Sequence, residues 1–150
     1  MHIRATCVKG IVIVICVLDA SITLAWLLPG ELTDPIQIVF DGIVDKYAFV
    51  PALWKIEVAN GLSSAIRRKR ITLDSRDKFI QNLVSLPILD DTEGLLNIWS
   101  TTLSLSDFHK LTVYDATYLE LALRRSLPLA TLDQDLRRAA QAEGIPLLGL

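Results

Sequence analysis

The sequence predicts an α/β protein, a three-layer α/β/α sandwich around a central parallel sheet of four to five short strands. Three observations carry this. Short apolar runs alternate along the chain with longer stretches of helical periodicity, the order that yields a parallel sheet covered on both faces. Residues 11–18, IVIVICVL, form a continuous apolar and largely β-branched run, as expected of a strand buried on both faces. No hairpin signal separates the strand candidates.

Taken in order, residues 1–10 read as an extension ahead of the domain, either disordered or a mis-assigned start, and residues 11–150 as one domain. Asp19 closes the first strand, and Ser21 can cap a short helix that ends at Leu28 before Pro29-Gly30 breaks it. Residues 33–45 form a second helix with Ile36, Val39, Phe40 and Ile43 on one face. Residues 47–50 are a short strand, and Pro51 starts a helix over 52–69, since proline suits the first turn. Trp54, Val58, Leu62 and Ala65 are its apolar stripe, with Glu57 at the margin aligned with Asn60 and Ser64. Thr72 can cap a helix reaching Val84. Residues 87–89 read as a short strand, 92–105 as a helix and 106–110 as a polar connection. The helix over 112–125 carries Thr117, Glu120 and Arg124 as its polar stripe, with Asp115 about 160° away on the face of Leu119, Ala122 and Leu123. Residues 128–132 form a strand, a last helix ends at Gly144, and 145–148 form a final strand.

Composition narrows the function classes. The chain has 150 residues, enough for one domain with a real core. Hydrophobic residues make up 51% and the net charge is −2, with a mean hydropathy of +0.42. A nucleic-acid-coating surface would be basic, so any such contact is expected to be local. Such an apolar composition also points to a buried partner surface. Cys7 and Cys16 make no disulfide framework, and no Cys/His cluster has zinc-ligand spacing. His2 and His109 read as surface or loop histidines. A reducing, cytoplasmic location is expected. His2, Arg4 and Lys9 before the apolar run faintly resemble a signal peptide, but Asp19 stands where a small-residue cleavage site would. Eight apolar residues are too few to span a bilayer.

The acidic residues carry the chemistry. In a parallel α/β sheet ligands gather at the carboxyl edge of the strands. Asp19 and Asp133 each follow a strand directly, Asp115 starts a helix and Glu57 lies early in another. Four carboxylates converging without a matching cation repel one another and raise each other's pKa. A divalent cation removes the conflict, and an all-oxygen site favours Mg²⁺ or Mn²⁺. Singly, each residue has an ordinary explanation. Thr112-x-x-Asp115 fits a capping box, Asp133 an N-cap, Asp135 a favourable helix-dipole contact and Glu57 a solvated glutamate. Capping does not, however, require Asp115 to face the core.

VLDAS at 17–21, PALWKIEVANGL at 51–62 and YDATYLELALRRSLPLATLDQDL at 114–136 resemble the PIN-domain family, most closely its VapC-type ribonuclease toxins of toxin–antitoxin pairs. The resemblance runs from Val17 to the C-terminus and is most specific in its last third. It implies a PIN-like fold, an Mg²⁺-dependent endoribonuclease, an RNA substrate, a cognate antitoxin and a homodimer. It assigns Asp19, Glu57, Asp115 and Asp133 to the metal site, with Asp135 as a fifth acidic group. Ser21 and Thr131 match hydroxyl positions near the metals and Asn60 a supporting position. The implied chemistry is phosphodiester hydrolysis with one or two ions activating a water. The family typically begins nearer its first strand than this chain does.

Three rival readings remain. A phosphatase of another α/β family with Asp after its first strand needs a second Asp two residues on, where this chain has Ser21. A receiver-like phosphoacceptor wants an early acidic pair and a late lysine. An inactive PIN-like scaffold that only binds its partner has no need of clustered acids. Arg67, Arg68, Lys69 and Arg70 suit RNA phosphates, and equally a solvated helix end whose cations complement the dipole. Trp26, Trp54 and Trp99 read as core or edge-of-core residues, with Trp26 and Leu27-Leu28 alternatively forming an antitoxin or dimer contact.

Overall fold

A computed structural model describes residues 7–8 and 11–150, with side chains from residue 13 onward. Residues 1–6, His2 among them, and residues 9–10 of the N-terminal extension lie outside the described residues. Within 7–12, β1 (Cys7–Val8) pairs antiparallel with β2 (Ile11–Val12). The apolar run read as one strand over 11–18 is therefore divided, and only β3 (Val14–Leu18) enters the main sheet. An unbroken β-branched run shows that its residues prefer extended backbone, not which partner each half finds.

The main sheet has five parallel strands in the order β5 (Ile88–Asp91), β4 (Tyr47–Pro51), β3, β6 (Leu129–Ala130) and β7 (Leu147–Leu148). This is the expected parallel α/β/α architecture. From β3 the chain proceeds outward through β4 to β5, then returns to lay β6 and β7 on the other side of β3. The order reverses between β3 and β6, and a crevice opens at such a switch point beyond the strands' carboxyl ends. Asp19 follows β3 and the residues after β6 lead to Asp133, so topology alone brings two acidic turns together.

Each helix follows its local chemistry. In α1 (Ala20–Leu27) the N-cap is Asp19 rather than Ser21, whose hydroxyl instead donates to Asp19. α2 (Asp34–Val44) buries Ile36, Val39, Phe40 and Ile43 as its periodicity requires, and Trp26 stacks on Phe40 at 4.2 Å. Pro51 ends β4, so α3 (Trp54–Arg67) starts later than proline suggested. α4 (Leu73–Val84) is capped by Thr72, which accepts from Ser75 N–H. Residues 92–110, read as a helix and a polar connection, wind continuously through a 3₁₀ segment (Glu93–Asn97), a π segment (Ile98–Thr102) and α5 (Leu103–His109). Lys110 then stops the winding in the left-handed region at φ 55°. α7 (Gln134–Ala142) is capped by Asp133. The Cys16 thiol is pushed up to about 12 by burial and is inert, while His109 lies in α5, its Nε2 2.7 Å from Glu143 Oε1.

The largest correction concerns α6 (Val113–Arg125). Its stripe of Thr117, Glu120 and Arg124 does not face water: Thr117 and Glu120 are buried. The β5 end and the 3₁₀ segment cover it, and the polar groups form one network. Arg124 donates to Asp91 at 2.6 and 3.0 Å and to Glu120 at 2.7 Å, while Arg125 also reaches Asp91 and lies 3.9 Å over the Phe49 ring. Asn97 donates to Glu120 as well. Burial alone would raise the Asp91 carboxyl, but the two guanidinium groups and the Gly94 N–H outweigh it and hold it below the usual range.

Breaking a buried ion pair from one side leaves a charge without compensation. Arg124→Met is expected to lower stability by about 3 kcal/mol in urea unfolding. A loss below about 1 kcal/mol would mean that the network behaves as an exposed pair does.

Candidate metal and active site

Asp19, Ser21, Glu57, Asn60, Asp115 and Asp133 line one open groove of about 300 Å³, with Ala20, Leu24 and Gly61. The residues singled out by sequence thus converge from the β3 end, α3, the start of α6 and the turn after β6. Asp135 does not line this groove; it is exposed and pairs with Arg138 at 2.6 Å.

Asp19 is the fixed point. Its side chain is 5% exposed, and Ser21 and Thr131 hydroxyls both donate to Oδ2, at 2.6 and 2.7 Å. Those hydroxyls are themselves placed by the turn after β6: Leu132 N–H donates to Ser21 Oγ and Asp133 N–H to Thr131 Oγ1, both at 3.1 Å. Arg137 ties that turn down through the Thr131 and Leu148 carbonyls. Asp133 holds the α7 start by accepting from Leu136 N–H at 2.8 Å. Thr112 caps α6 by accepting from Asp115 N–H at 3.1 Å. Only this half of the expected capping box forms, which leaves the half-buried Asp115 carboxylate to the groove.

Two contributors were not legible beforehand. Tyr118, fully buried one turn beyond Asp115, donates its hydroxyl to Glu57 Oε1 at 2.6 Å. Its i+3 spacing from Asp115 was the available signal. Gly61 is the other: a Cβ there would collide with the Leu24 side chain, so glycine allows α3 to lie against α1 and brings Glu57 to Asp19. Arg67, Arg68, Lys69 and Arg70 are exposed, with Arg67 about 15 Å along α3 from Glu57 by helical rise. Arg67 donates to Ser63 and Arg70 pairs with Glu31 at 2.9 Å, as a solvated helix end would.

The electrostatics are one-sided. Among the described residues none of the four groove carboxylates has a Lys, Arg or His in ion-pair range. Burial and then the Asp133 and Asp19 charges raise Asp115 to about 6. Burial raises Glu57 too, with Asp19 and Asp115 adding to it against the Tyr118 hydrogen bond. Asp19 is raised by burial and by Asp133, despite its two hydroxyl donors. Burial and the Asp19 charge push the Tyr118 hydroxyl well above its ordinary range, so it remains a donor to Glu57.

A donor set of carboxylate oxygens with no counter-cation has the charge and chemistry of a Mg²⁺ or Mn²⁺ site. Among the described residues no three His, Cys, Asp or Glu side chains are yet arranged to close on one ion. Glu57 is turned to Tyr118 and Asp133 to its cap. The fit lies in charge and donor type.

A sequence model of the PIN domain matches residues 16–142. The chain belongs to the PIN domain family, whose members are generally nucleases and typically use divalent metal ions. No curated protein sequence matches it. Among solved structures it is similar to PAE2754 from Pyrobaculum aerophilum, at 22% identity over 84% of each chain with a TM-score of 0.62. It is also similar to FitAcB from Neisseria gonorrhoeae, at 16% identity over 91% of this chain and 97% of that one, with a TM-score of 0.62. A toxin–antitoxin complex from Klebsiella pneumoniae matches at 16% identity over 80% of this chain and 88% of that one, with a TM-score of 0.56. At these identities the likeness is one of fold.

The raised Asp115 pKa sets a pH dependence for the metal-free protein. An acid whose folded pKa exceeds its unfolded value adds stability at low pH that is lost as pH rises through the folded pKa. Between its ordinary value of 3.8 and about 6, ionisation of Asp115 therefore destabilises the fold. Asp115→Asn should match the parent at acid pH and exceed it at neutral pH by about 1 kcal/mol, discounted for solvent reaching the groove. Chemical unfolding in chelator at both pH values checks this; a variant less stable than the parent at neutral pH contradicts it.

Proposed function

We propose that this chain is a Mg²⁺-dependent endoribonuclease, the toxin of a type II, VapBC-like toxin–antitoxin pair, acting in the cytoplasm as a homodimer and restrained by a cognate antitoxin. The observation that carries the nuclease reading is the groove itself: four carboxylates from four separate elements share one opening, and among the described residues no cation lies in ion-pair range of them. The RNA substrate and the toxin role rest on the resemblance of the 17–21, 51–62 and 114–136 motifs, and the antitoxin also on the likeness to the Klebsiella complex. The cytoplasmic setting rests on the lack of a disulfide framework in the sequence and on the buried free Cys16.

Asp19 and Asp115 would hold Mg²⁺ directly, and Glu57 and Asp133 directly or through water; Mn²⁺ suits the same oxygens. When bound, the ion supplies a Lewis acid for the phosphate and a water of lowered pKa. The remaining work belongs to the chain. Ser21 and Thr131 hold the Asp19 carboxylate in one orientation, and Tyr118 does the same for Glu57. Asn60, at the groove's rim, offers an amide to the phosphate or to the water. Asp135 stands outside the groove and contributes at most negative potential.

Asp19→Asn and Asp115→Asn should each reduce Mg²⁺-dependent cleavage of an RNA pool by at least about 100-fold, as loss of a metal-holding group does, with circular dichroism unchanged. Full activity in either folded variant would remove the assignment. Binding of RNA without cleavage by the metal-loaded parent would favour the scaffold reading.

A further inference from the structure

The cations at residues 67–70 form the longest such run in the chain, and the groove described above leaves them without a part. The four are not equivalent. Arg67 donates to Ser63 at 3.0 Å. Arg70 reaches back to the end of α1, donating to Glu31 at 2.9 Å and to the Pro29 carbonyl at 3.4 Å. Lys69 has left the helix for the left-handed region at φ 57°. Arg68, the C-cap of α3, is exposed, and among the described residues it pairs with no carboxylate.

Helical geometry sets Arg68 in line with the groove. Glu57, Gly61, Ser64 and Arg68 stand at i, i+4, i+7 and i+11, which at about 3.6 residues per turn is one face of the helix. Arg67 is rotated about 80° from Glu57 on the same wheel. Glu57, Asn60 and Gly61 line the carboxylate groove, and at Gly61 α3 lies against Leu24 of α1. The crevice between the two helices therefore leads from the groove toward the helix end that carries Arg68. Neither helix opposes an anion along that way: α1 has no charged residue, and α3 has no acid after Glu57. The first acid beyond α1 is Glu31, which Arg70 pairs.

We infer that Arg68 holds a phosphate of the RNA strand a few nucleotides away from the bond that is cut. The groove serves the scissile phosphate, and the flanking phosphates of a polyanion need a cation from elsewhere in the chain. With a net charge of −2, the surface as a whole offers no such attraction, so the contact is local. By helical rise Arg68 stands about 16 Å from Glu57. A stacked strand at about 3.4 Å per nucleotide covers that distance in about five nucleotides, and an extended one in fewer. A guanidinium meets a phosphate through two parallel N–H donors, which a lysine does not match. Such a contact fixes the path of the strand and reads no base. The inference rests on the ribonuclease reading for the nature of the substrate alone.

Fluorescence anisotropy of a labelled single-stranded RNA pool across a salt series tests the contact without reading nuclease activity. Ca²⁺ replaces Mg²⁺, since oxygen ligands suit both, and gel electrophoresis confirms that the strand stays intact. Arg68→Gln should weaken binding about fivefold. It should also lower the slope of log affinity against log salt by about 0.7, the share of one phosphate on a single strand. Arg68→Lys should restore most of that slope, because it keeps the charge. Lys46→Gln, exposed just before β4 at the amino edge of the sheet, controls for net charge and should match the parent. Unchanged thermal unfolding in each variant separates loss of contact from loss of fold. An unchanged slope in Arg68→Gln, with the parent binding RNA, would overturn the inference and leave the nuclease reading standing. An equal loss in Arg67→Gln would spread the effect over the whole helix end and overturn the assignment to Arg68. A parent that neither binds nor cleaves RNA would remove the nuclease reading, and this contact with it.

Discussion

The arrangement depends on one unfavourable interaction: a carboxylate buried at the end of the central strand, sharing a groove with three others and, among the described residues, with no cation in ion-pair range. Asp19 could sit there as a neutral acid or as a compensated anion, and two hydroxyl donors on one oxygen favour the anion. Burial and the Asp133 charge oppose it and raise its pKa. Charge conflict of this kind is costly to keep in a fold and is resolved by a divalent ion. Ser21, Thr131, Thr112 and Tyr118 all serve to hold the acids in place despite it.

The topology explains why the conflict arises where it does. β3 and β6 are neighbours, yet most of the chain separates them in sequence. Their carboxyl ends form the switch point of the sheet, the one position where turns from both halves of the fold face each other. α6 completes the arrangement through opposite faces. Asp115 and Tyr118 serve the groove, while Glu120 and Arg124 bind the segment that follows β5. The same helix therefore supports both the carboxylate groove and the segment that carries Trp99.

How much of this was legible in the sequence follows from how local each feature is. Asp19, Asp115 and Asp133 could be read because each stands at a strand end or helix start, where direction is set by a few neighbouring residues. A parallel sheet of four to five strands was legible from the alternation of strands and helices and the lack of hairpin signals; the structure has five. The α6 stripe was misread because a helical wheel shows which residues share a face but not what covers it; Asp91, more than twenty residues earlier, turns that face inward. Tyr118 and Gly61 act through partners on other elements, so the i+3 spacing of Tyr118 from Asp115 could mark a shared face but not the contact with Glu57. Residues 92–105 read as one helix from Leu95, Ile98, Trp99 and Leu103, and such spacing does not separate 3₁₀ and π turns from α-helix; these turns pack against α6. Trp99 was read as core or edge-of-core on hydrophobicity, which cannot distinguish a buried indole from an exposed one, and it is 91% exposed.

The central claim is that the groove's acids are compensated by a divalent ion, and a Mn²⁺ titration at neutral pH followed by thermal unfolding tests it most directly. Ligand binding to the folded state alone raises the unfolding temperature as the site fills. The parent chain should show a saturable rise and Asp19→Asn little or none. No rise in the parent, or an equal rise in both proteins, would contradict it.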